Sequence, residues 1–406
     1  MSKITPLFRK KSSAPSDFTE IVGCVRAIAD GAIYFDCMSG RVCKTIDWLF
    51  SKGLFWEDQD TLKFRTALIE HYDVHASTHE VWEAVVYIAH ENRVHPIRDY
   101  LSSLKWDGSP RLESWLHHAF GAPLTDYIKA IGRNFLIGAC ARIIKPGCKV
   151  DSLIILEGPQ GIGKTSALEI LFGEDWTTDV VENLSDKDFF LKISGFWLCV
   201  LGELSSLRKS DRDRIKQLIT MRYDDVRRPW GRVPERRYRQ CVFAGTTNLN
   251  RYLDDMTGNR RFWPIECTKV DLQFLESNRD RLWAEAACGL KSGANWWDIP
   301  DIETAEAQEN KMIEDPWEKK IANWLEYFPT DSLIVSDDEG ILKVEGRRVM
   351  QVDTYLLCSM ALNLKDIDMT RSVSTRIGLI MAKNQDYLRR KITIGDKRSW
   401  VYSFIG

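Results

Sequence analysis

The stretch LIILEGPQGIGKTSALEILF, residues 153–172, decides the fold class that the sequence predicts. Its first residues form a short apolar run typical of a buried strand, and SALEILF at its end favours a helix. Between them, GPQGIGKT (158–165) fits the pattern G-x-x-x-x-G-K-[ST]. A strand, a glycine-containing loop and a helix in this order predict a P-loop, whose backbone N–H groups surround phosphate.

The motif predicts a role for individual side chains. We expect Lys164 to reach the β- and γ-phosphates of a nucleotide and Thr165 to ligate Mg²⁺. ATP and Mg²⁺ are therefore the predicted cofactors. A chance glycine-rich turn is disfavoured, because the full motif has a strand before it and a helix after it. The residues predicted to contact the nucleotide are Gly158, Pro159, Gln160, Gly161, Ile162, Gly163, Lys164, Thr165 and Ser166.

Two later apolar runs end in polar side chains that suit the same chemistry. FWLCVLGE (196–203) ends at Glu203, a candidate Walker B carboxylate and second Mg²⁺ ligand that would handle the attacking water. CVFAGTT is followed by Asn248, whose amide can bond both a γ-phosphate and a water, as a sensor does. The alternatives are a glutamate that simply faces solvent and an asparagine that ends a strand in a turn.

The stretch TGNRRFWPIE (257–266) places two arginines before an apolar strand. A planar, permanently charged guanidinium suits the charge that develops on a transferring phosphoryl group, so Arg260 and Arg261 are candidate catalytic residues. Successive side chains of a strand alternate, so we expect one arginine to face ATP and the other to pair locally, with Asp254 or Asp255. Arg260 is slightly favoured as the finger, because it lies farther from the apolar strand.

A basic segment, RRPWGRVPERRYR (227–239), interleaves six arginines with Trp230 and Tyr238. Basic residues beside aromatic ones suit phosphate contact combined with base stacking. The alternative is a solvated charged loop, or a salt-bridge strip that involves Asp224 and Asp225. The predicted DNA-contacting residues are Lys216, Arg227, Arg228, Trp230 and Arg232.

These motifs, in this order, resemble the virulence-associated protein E family, which belongs to the wider group of superfamily 3 helicases and primase-helicases of phages and mobile islands. The resemblance extends over residues 95–266, and its last stretch is the most specific. The matching stretches are HPIRDYLSSLKWDGSPRLESWL (95–116), PGCKVDSLIILEGPQGIGKT (146–165), SGFWLCVLGEL (194–204), RRPWGR (227–232) and FAGTTNLNRYLDDMTGNRRFWPIE (243–266).

The resemblance implies an AAA+-like ATPase that works as a ring, usually a hexamer, on DNA at replication origins. It implies that Arg260 or Arg261 completes the ATP site of a neighbouring subunit, that Asn248 is the sensor, and that the basic segment lies on a hairpin lining a central pore. One departure is Val200, which stands where members of the family have an acidic residue. Mg²⁺ handling is then expected to fall on Thr165, Glu203 and water.

The predicted fold is α/β, with an AAA+-like P-loop core built on a parallel sheet. A helix around 373–383 followed by DYLRRKITIGDKRSWVYSF resembles a winged helix, and the alternative is an assembly module that does not touch DNA. The predicted regions are a flexible basic tail (1–20), a mainly helical N-terminal domain (21–135), the ATPase core (136–275), a helical connector (276–315) and a winged-helix-like C-terminal domain (316–406).

The composition of the chain bears on its partners and on the compartment in which it works. Its formal net charge is −2, so any nucleic-acid surface is local. No two of the ten cysteines form a C-x-x-C pair, and no apolar run reaches the ~18 residues of a membrane span, so we expect a cytoplasmic protein without a membrane partner. If their segment is helical, His71, His75 and His79 share one face and could bind metal, but the neighbouring residues do not complete a site.

The sequence therefore predicts an ATP-dependent replicative DNA helicase or replication-initiator ATPase of phage or mobile-element type. The expected assembly is a homo-hexamer, and the expected partner is single-stranded or forked DNA, with replication-origin DNA as a further candidate. The alternative function is a nucleotide-dependent DNA-binding switch, regulatory or assembly-related, that does not separate strands.

Overall fold

The chain divides into two compact units, Met1–Met312 and Ile313–Gly406. Each unit has a buried apolar core of its own. The five-part division that the sequence predicts stays a prediction. The computed structural model describes residues 17–29, 31–45, 53–179, 189–202, 209–226, 235–249, 252–253, 259–309, 311, 315–330, 333–337, 340–394 and 397–405.

The first part of unit one combines helices with a small sheet. The sheet has the order β2-β1-β3, with β1 and β2 antiparallel and β1 and β3 parallel. The sequence does not predict this sheet, because strands of four, four and two residues carry almost no periodic pattern. The elements are α1 (Phe18–Ala29), β1 (Ile33–Asp36), β2 (Arg41–Lys44), α2 (Asp58–Tyr72), α3 (Thr78–Glu91), β3 (Arg93–Val94), α4 (Pro96–Ser103), α5 (Trp115–Phe120) and α6 (Asp126–Ile144).

Helix starts in this region follow the local sequence. α3 begins with a capping box, in which Glu80 N donates to the Ser77 hydroxyl at 3.2 Å and Ser77 N donates to the Glu80 carboxylate at 2.7 Å. α6 begins where the Thr125 hydroxyl accepts from Ile128 N at 3.2 Å. α6 is buried around most of its surface, because it packs between the central sheet and other helices.

The rest of unit one is built around a five-stranded, all-parallel sheet with the order β10-β4-β9-β6-β5. This confirms the predicted α/β class with a parallel sheet. The elements are β4 (Leu153–Glu157), α7 (Lys164–Phe172), β5 (Thr177–Asp179), α8 (Phe189–Lys192), β6 (Leu198–Leu201), α9 (Lys209–Thr220), β7 (Tyr223–Val226), β8 (Glu235–Tyr238), β9 (Val242–Thr247), β10 (Phe262–Glu266), α10 (Leu272–Lys291) and α11 (Asp301–Glu309).

Helices cover both faces of this sheet, which explains why its central strands are apolar throughout. Ile154 and Leu156 of β4 belong to the core that includes α6, α7 and α10. Leu153 and Ile155, which point to the opposite face, belong to the core that includes α9. Because all five strands run the same way, the sheet has a carboxyl edge, where the strands end, and an amino edge, where they begin.

The second unit has an antiparallel sheet of its own, with the order β11-β12-β13-β15-β14. Its core joins Ile321 and Leu325 of the first helix to Val349 and Val352 of the sheet. The elements are α12 (Pro316–Glu326), β11 (Leu333–Asp337), β12 (Gly340–Glu345), β13 (Arg348–Asp353), α13 (Thr354–Leu356), α14 (Arg371–Lys383), β14 (Tyr387–Ile394) and β15 (Lys397–Phe404). Among the helices described in either unit, none is long and apolar enough to cross a membrane.

Candidate functional site

The predicted phosphate-binding motif lies at the carboxyl edge of the sheet, between β4 and α7. We call residues Gly158–Gly163 the glycine loop. Gly163 has φ of +96°, a conformation that side chains with a Cβ rarely adopt. A Cβ on Gly158 would lie 2.7 Å from the Cys267 carbonyl oxygen, so this position has room only for glycine. The backbone of the loop therefore depends on the glycines that the motif requires.

Lys164 is the first residue of α7, and its ammonium turns back over the glycine loop. Its Nζ donates to the carbonyl oxygens of Gly158 at 2.7 Å and Pro159 at 2.8 Å. Burial lowers the pKa of Lys164 from its usual value. Thr165 is half-buried and Ser166 is exposed in the same first turn of the helix, where free backbone N–H groups favour anions.

Asn248 lies beside the glycine loop because of the strand order. It follows β9, whose last residue, Thr247, is opposite Glu157 at the end of β4. The Gly158 N–H donates to the Thr247 carbonyl at 3.2 Å, so the two strand ends are joined where the loop begins. The other candidate, Glu203, lies outside the described residues. Its strand, β6, pairs with β9 and not with β4.

A buried carboxylate that the sequence analysis did not single out supports the glycine loop. Glu157, the residue before the loop, accepts a hydrogen bond from the Tyr252 hydroxyl at 2.6 Å and forms an ion pair with Lys311 at 2.6 Å. Burial raises the pKa of Glu157, while Lys311 and Tyr252 act in the opposite direction. A glutamate at the end of an apolar strand is a visible signal, but its partners are distant in sequence.

The two candidate arginines lie at the other edge of the sheet. Arg260 and Arg261 belong to a 3₁₀ turn, Asn259–Arg261, that precedes β10. The first residue of β10, Phe262, is opposite Leu153, the first residue of β4, so the arginines are at the amino edge. The glycine loop is at the carboxyl edge. Four residue steps of about 3.3 Å separate the two ends of β4 by roughly 13 Å.

Both arginines line one cavity of about 410 Å³, together with Lys149, Trp296 and Trp297. The expectation that one arginine faces ATP and the other pairs locally stays a prediction. Strand alternation does not apply to them, because they lie in a turn and the strand begins only at Phe262. Arg260 is exposed and Arg261 is half-buried. The predicted local partners, Asp254 and Asp255, lie outside the described residues.

A side chain of α11 forms a hydrogen bond with the first residue of β10. The Gln308 side chain, which is buried, donates from Nε2 to the Phe262 carbonyl at 2.9 Å. Phe262 directly follows Arg261, so this bond restrains the turn that carries the arginines. Lys311, just beyond α11, is the partner of Glu157 at the carboxyl edge. One short segment therefore supports both edges of the sheet.

The basic segment 227–239 lies partly on an antiparallel pair, β7 and β8. Its described arginines are occupied by carboxylates: Arg236 donates to Asp225 at 3.0 Å, and Arg239 is buried against Asp224. The alternative of a salt-bridge strip thus describes this part of the segment. Lys216 on α9 forms an ion pair with Asp213 at 3.5 Å. The remaining predicted DNA contacts, which lie outside the described residues, are Arg227, Arg228, Trp230 and Arg232.

The three histidines do not lie on one helix, which is the condition under which they would share a face. His71 lies in α2, His79 lies in α3, and His75 lies between the two helices. Each of the latter two histidines has a nearby carboxylate, Asp73 for His75 and Glu83 for His79. Within the described ranges, no group of three or more histidine, cysteine or acidic side chains has the geometry of a metal site.

Comparison with known families adds to this geometry. The family described as the virulence-associated protein E-like domain matches residues 101–315, more than half of the chain. The chain belongs to the virulence-associated protein E-like family. The VapE-like match includes the glycine loop, the strand that precedes Asn248, both arginines and α11. It stops near the start of the second unit.

The VapE-like chain is also similar in fold to solved structures of the NrS-1 C-terminal region. Two structures described as its A form in the apo state match with TM-scores of 0.51 and 0.50, at 14% and 13% sequence identity. Each match covers 96% of this chain and 100% of the other. At this level of identity the similarity concerns the fold. No curated protein sequence matches the chain.

Proposed function

We propose that this chain is an ATP-driven replicative DNA helicase or replication-initiator ATPase of phage or mobile-element type. It works as a ring, with a homo-hexamer as the proposed assembly, and hydrolyses ATP between subunits. Single-stranded or forked DNA is the proposed partner, with origin DNA as a further candidate. The cytoplasm is the proposed compartment, in keeping with ten cysteines that are all free of disulfides.

The observation that carries this proposal is the division of the site residues between two edges of one sheet. Lys164, Thr165 and Asn248 are at the carboxyl edge, while Arg260 and Arg261 are at the amino edge. The roughly 13 Å between the two ends of β4 is more than an arginine side chain spans. An arginine of this chain therefore suits the nucleotide of a neighbouring copy, which is what a ring of identical subunits requires.

The strand order supports an ATPase assignment for the carboxyl edge. β9 lies between β4, which precedes the glycine loop, and β6, which precedes Glu203. Strand ends of a parallel sheet meet at one edge, so Asn248 comes between the end of β4 and the end of β6. In this arrangement Asn248 contacts the γ-phosphate and a water that Glu203 activates. This is the proposed sensor role.

The residues present fit ATP with Mg²⁺. The positive φ of Gly161 and Gly163 and the buried ammonium of Lys164 form a cradle for phosphate. Thr165 and Glu203 are the proposed protein ligands of Mg²⁺, which prefers oxygen donors and neutralises charge on the transferring phosphoryl group. The protein's own part is to hold the phosphates with Lys164 and loop N–H groups and to supply a guanidinium from the next subunit.

The second unit supplies a further candidate DNA surface. A helix, three antiparallel strands, two helices and then a hairpin follow one another, with β13 paired to β15 and β15 paired to β14. This order supports a winged-helix-like module whose sheet carries the further strands β11 and β12. Arg389, Arg390 and Lys391 are exposed on β14, and the Arg389 guanidinium lies 4.1 Å from the Trp400 ring centroid. Exposed cations beside an aromatic ring suit phosphate and base contacts.

A mixing experiment tests the proposal. Lys164→Ala removes the phosphate contact of a subunit, and Arg260→Ala removes the guanidinium that it offers to its neighbour. Each variant alone is expected to lack ATP hydrolysis. A mixture of the two should regain part of it, because some interfaces join an intact glycine loop to an intact arginine. Absence of recovery in confirmed mixed assemblies would show that the arginine does not act between subunits.

The second candidate function is a nucleotide-dependent DNA-binding switch without strand separation. It is favoured by the paired state of Arg236 and Arg239, which leaves fewer cations for DNA than the sequence suggests. A forked duplex with one labelled strand separates the two functions. Strand release that requires ATP hydrolysis supports the helicase. Stimulated hydrolysis and DNA binding without strand release support the switch.

A further inference from the structure

The turn between β1 and β2, residues Asp36–Gly40, has a fixed shape. The buried Asp36 carboxylate accepts from Met38 N at 2.8 Å, from Ser39 N at 3.3 Å and from the Ser39 hydroxyl at 2.6 Å. The Gly40 N–H donates to the Asp36 carbonyl at 2.7 Å. An aspartate that binds the backbone of its own turn makes the turn a rigid element. This turn belongs to the N-terminal region, for which the proposed function gives no role.

Arg237 of β8 joins this turn to two parts of the ATPase core. Its Nη1 donates to the Ser39 carbonyl at 3.2 Å and to the Ser194 hydroxyl at 2.7 Å. Its other nitrogens donate to Glu235 at 3.3 and 3.4 Å. Ser194 lies shortly before β6, the strand that leads to Glu203. One guanidinium therefore connects the hairpin β7–β8, the β1–β2 turn and the approach to β6.

Two glycines make this contact possible. A Cβ on Gly40 would overlap the Arg237 guanidinium, and a Cβ on Gly195 would lie 3.0 Å from both Cα and Cβ of Ser39. A cavity of about 360 Å³, lined by Gly40 and Arg237 among others, gives a displaced guanidinium space to move into. A side chain at Gly40 is therefore expected to move the guanidinium off the turn while the turn itself stays in place.

The neighbouring arginine serves as a comparison within the same strand. Arg236 is exposed, donates to Asp225 at 3.0 Å and lies 4.1 Å from the Tyr223 ring centroid. All of these contacts are within the hairpin β7–β8. Arg237 points to the opposite side of the strand and makes contacts with residues outside the hairpin, Ser39 and Ser194. The two arginines have the same side-chain chemistry, but only the contacts of Arg237 connect the hairpin to other elements.

We propose that Arg237 is a positioning residue that fastens the hairpin β7–β8 to the β1–β2 turn and so couples DNA held by the hairpin to ATP hydrolysis. This inference rests on the proposed function for its link to ATP and DNA. Movement of the hairpin passes through the guanidinium to Ser194 and hence to β6, the strand that precedes Glu203 in the sequence. The N-terminal region provides the fixed point against which the hairpin is held.

Two variants remove the contact between Arg237 and the β1–β2 turn in different ways. Arg237→Ala deletes the guanidinium, and Gly40→Ala displaces it. Gly31→Ala is the matched control for the second, because Gly31 has φ of +79° but a Cβ there meets nothing within 4 Å. Gly31 and Gly40 thus share the backbone cost of a Cβ at positive φ. Arg236→Ala is the matched control for the first.

The first measurement is ATP hydrolysis with and without a single-stranded oligothymidylate. We expect Arg237→Ala and Gly40→Ala to keep basal turnover and to lose about tenfold in stimulation by the oligonucleotide, the size of effect expected from losing a charge-assisted hydrogen bond. Both controls should keep their stimulation. Unchanged stimulation in both test variants, or an equal loss in the Gly31→Ala control, would overturn the coupling.

The second measurement does not depend on ATP or DNA. Amide hydrogen exchange in β8 should become faster in Arg237→Ala and Gly40→Ala and remain unchanged in Gly31→Ala. Unchanged exchange in the two test variants would overturn the fastening itself. If the wild-type chain neither hydrolyses ATP nor binds DNA, the proposed function fails together with the coupling, whereas the exchange result still decides whether Arg237 holds the hairpin.

Discussion

The charged side chains at the two edges of the parallel sheet differ in their burial and in their contacts. At the carboxyl edge, Lys164 is buried over the glycine loop and Glu157 is paired with Tyr252 and Lys311. At the amino edge, Arg260 is exposed beside a cavity that also contains exposed Trp297. The first edge has its partners within the chain, whereas the second presents charge outward. Under the proposed function, this difference predicts that one subunit is sufficient to bind nucleotide and that hydrolysis requires two.

The strongest test of the comparison removes the cation of the carboxyl edge. Lys164→Ala should abolish both ATP binding and hydrolysis, because no other side chain of the glycine loop carries positive charge. The fold should survive, since the ammonium only bonds loop carbonyls, which water can replace. Calorimetric titration with ATP and thermal unfolding check both points. Lys149→Ala, which removes an exposed lysine of the amino edge, is the control for binding.

Removing the cation of the amino edge should separate binding from turnover. Arg260→Ala is expected to lower the rate of hydrolysis by about 10³- to 10⁵-fold, as for other arginine fingers, with ATP affinity retained. Arg261→Ala, at the half-buried neighbour, should affect the stability of the chain more and turnover less. The measurements are steady-state hydrolysis and equilibrium ATP binding. Equal loss of affinity in Arg260→Ala would place this arginine in the site of its own subunit.

The ion pair beneath the glycine loop can be broken without touching the loop. Lys311→Met leaves the Glu157 carboxylate buried without its counter-charge and should lower the free energy of unfolding by about 3–5 kcal/mol near pH 7. Burial already raises the pKa of Glu157, and losing Lys311 raises it further. The deficit should therefore shrink as pH falls toward the ordinary glutamate value of about 4.3, where the unfolded chain is protonated too.

Denaturant unfolding at two pH values measures this effect. The double variant Glu157→Gln/Lys311→Met carries neither charge and should recover much of the lost stability at neutral pH. A deficit that grows on acidification would mean that Glu157 is not the charged group left behind.

The smallest expected effect concerns the support of the arginine turn. Gln308→Leu removes the hydrogen bond to the Phe262 carbonyl and leaves that buried oxygen without its partner, at a cost of about 1–3 kcal/mol. Because the turn that carries Arg260 is then less restrained, turnover should fall about tenfold with ATP affinity unchanged. Glu306→Ala, at an exposed position of the same helix, is the control. A selective loss of ATP affinity would contradict the separation between the edges.

The parts of the molecule that could be predicted from the sequence are those whose partners are close along the chain. β4, the glycine loop and α7 follow one another within residues 153–172, and their pattern was sufficient to predict the strand, loop and helix. The apolar runs that become β6, β9 and β10 were also visible, because strands covered on both faces are apolar throughout.

Other features depend on contacts that the sequence does not display. Glu157 meets Tyr252 and Lys311 only because the chain returns to β4 after many residues. The arginine turn shows a limit of a different kind. Strand alternation predicts opposite directions for Arg260 and Arg261 only if both lie in the strand, but the strand begins at Phe262 and the arginines lie in a 3₁₀ turn. The hydrophobic periodicity of a sequence gives little information about where a short strand or helix begins and ends.

The order of strands in the sheet has a consequence for how the chain is synthesised. Among the strands that the structure describes, the partners of β4 are β9 and β10, both of which lie far later in the sequence. As the chain leaves the ribosome, the apolar strand that precedes the glycine loop therefore emerges without either of its neighbours. Contacts between residues so distant in sequence form slowly, and unpaired apolar strands aggregate readily in the interval. The centre of the parallel sheet should thus fold only after Glu266 has emerged, and nascent chains shorter than this should depend on chaperones.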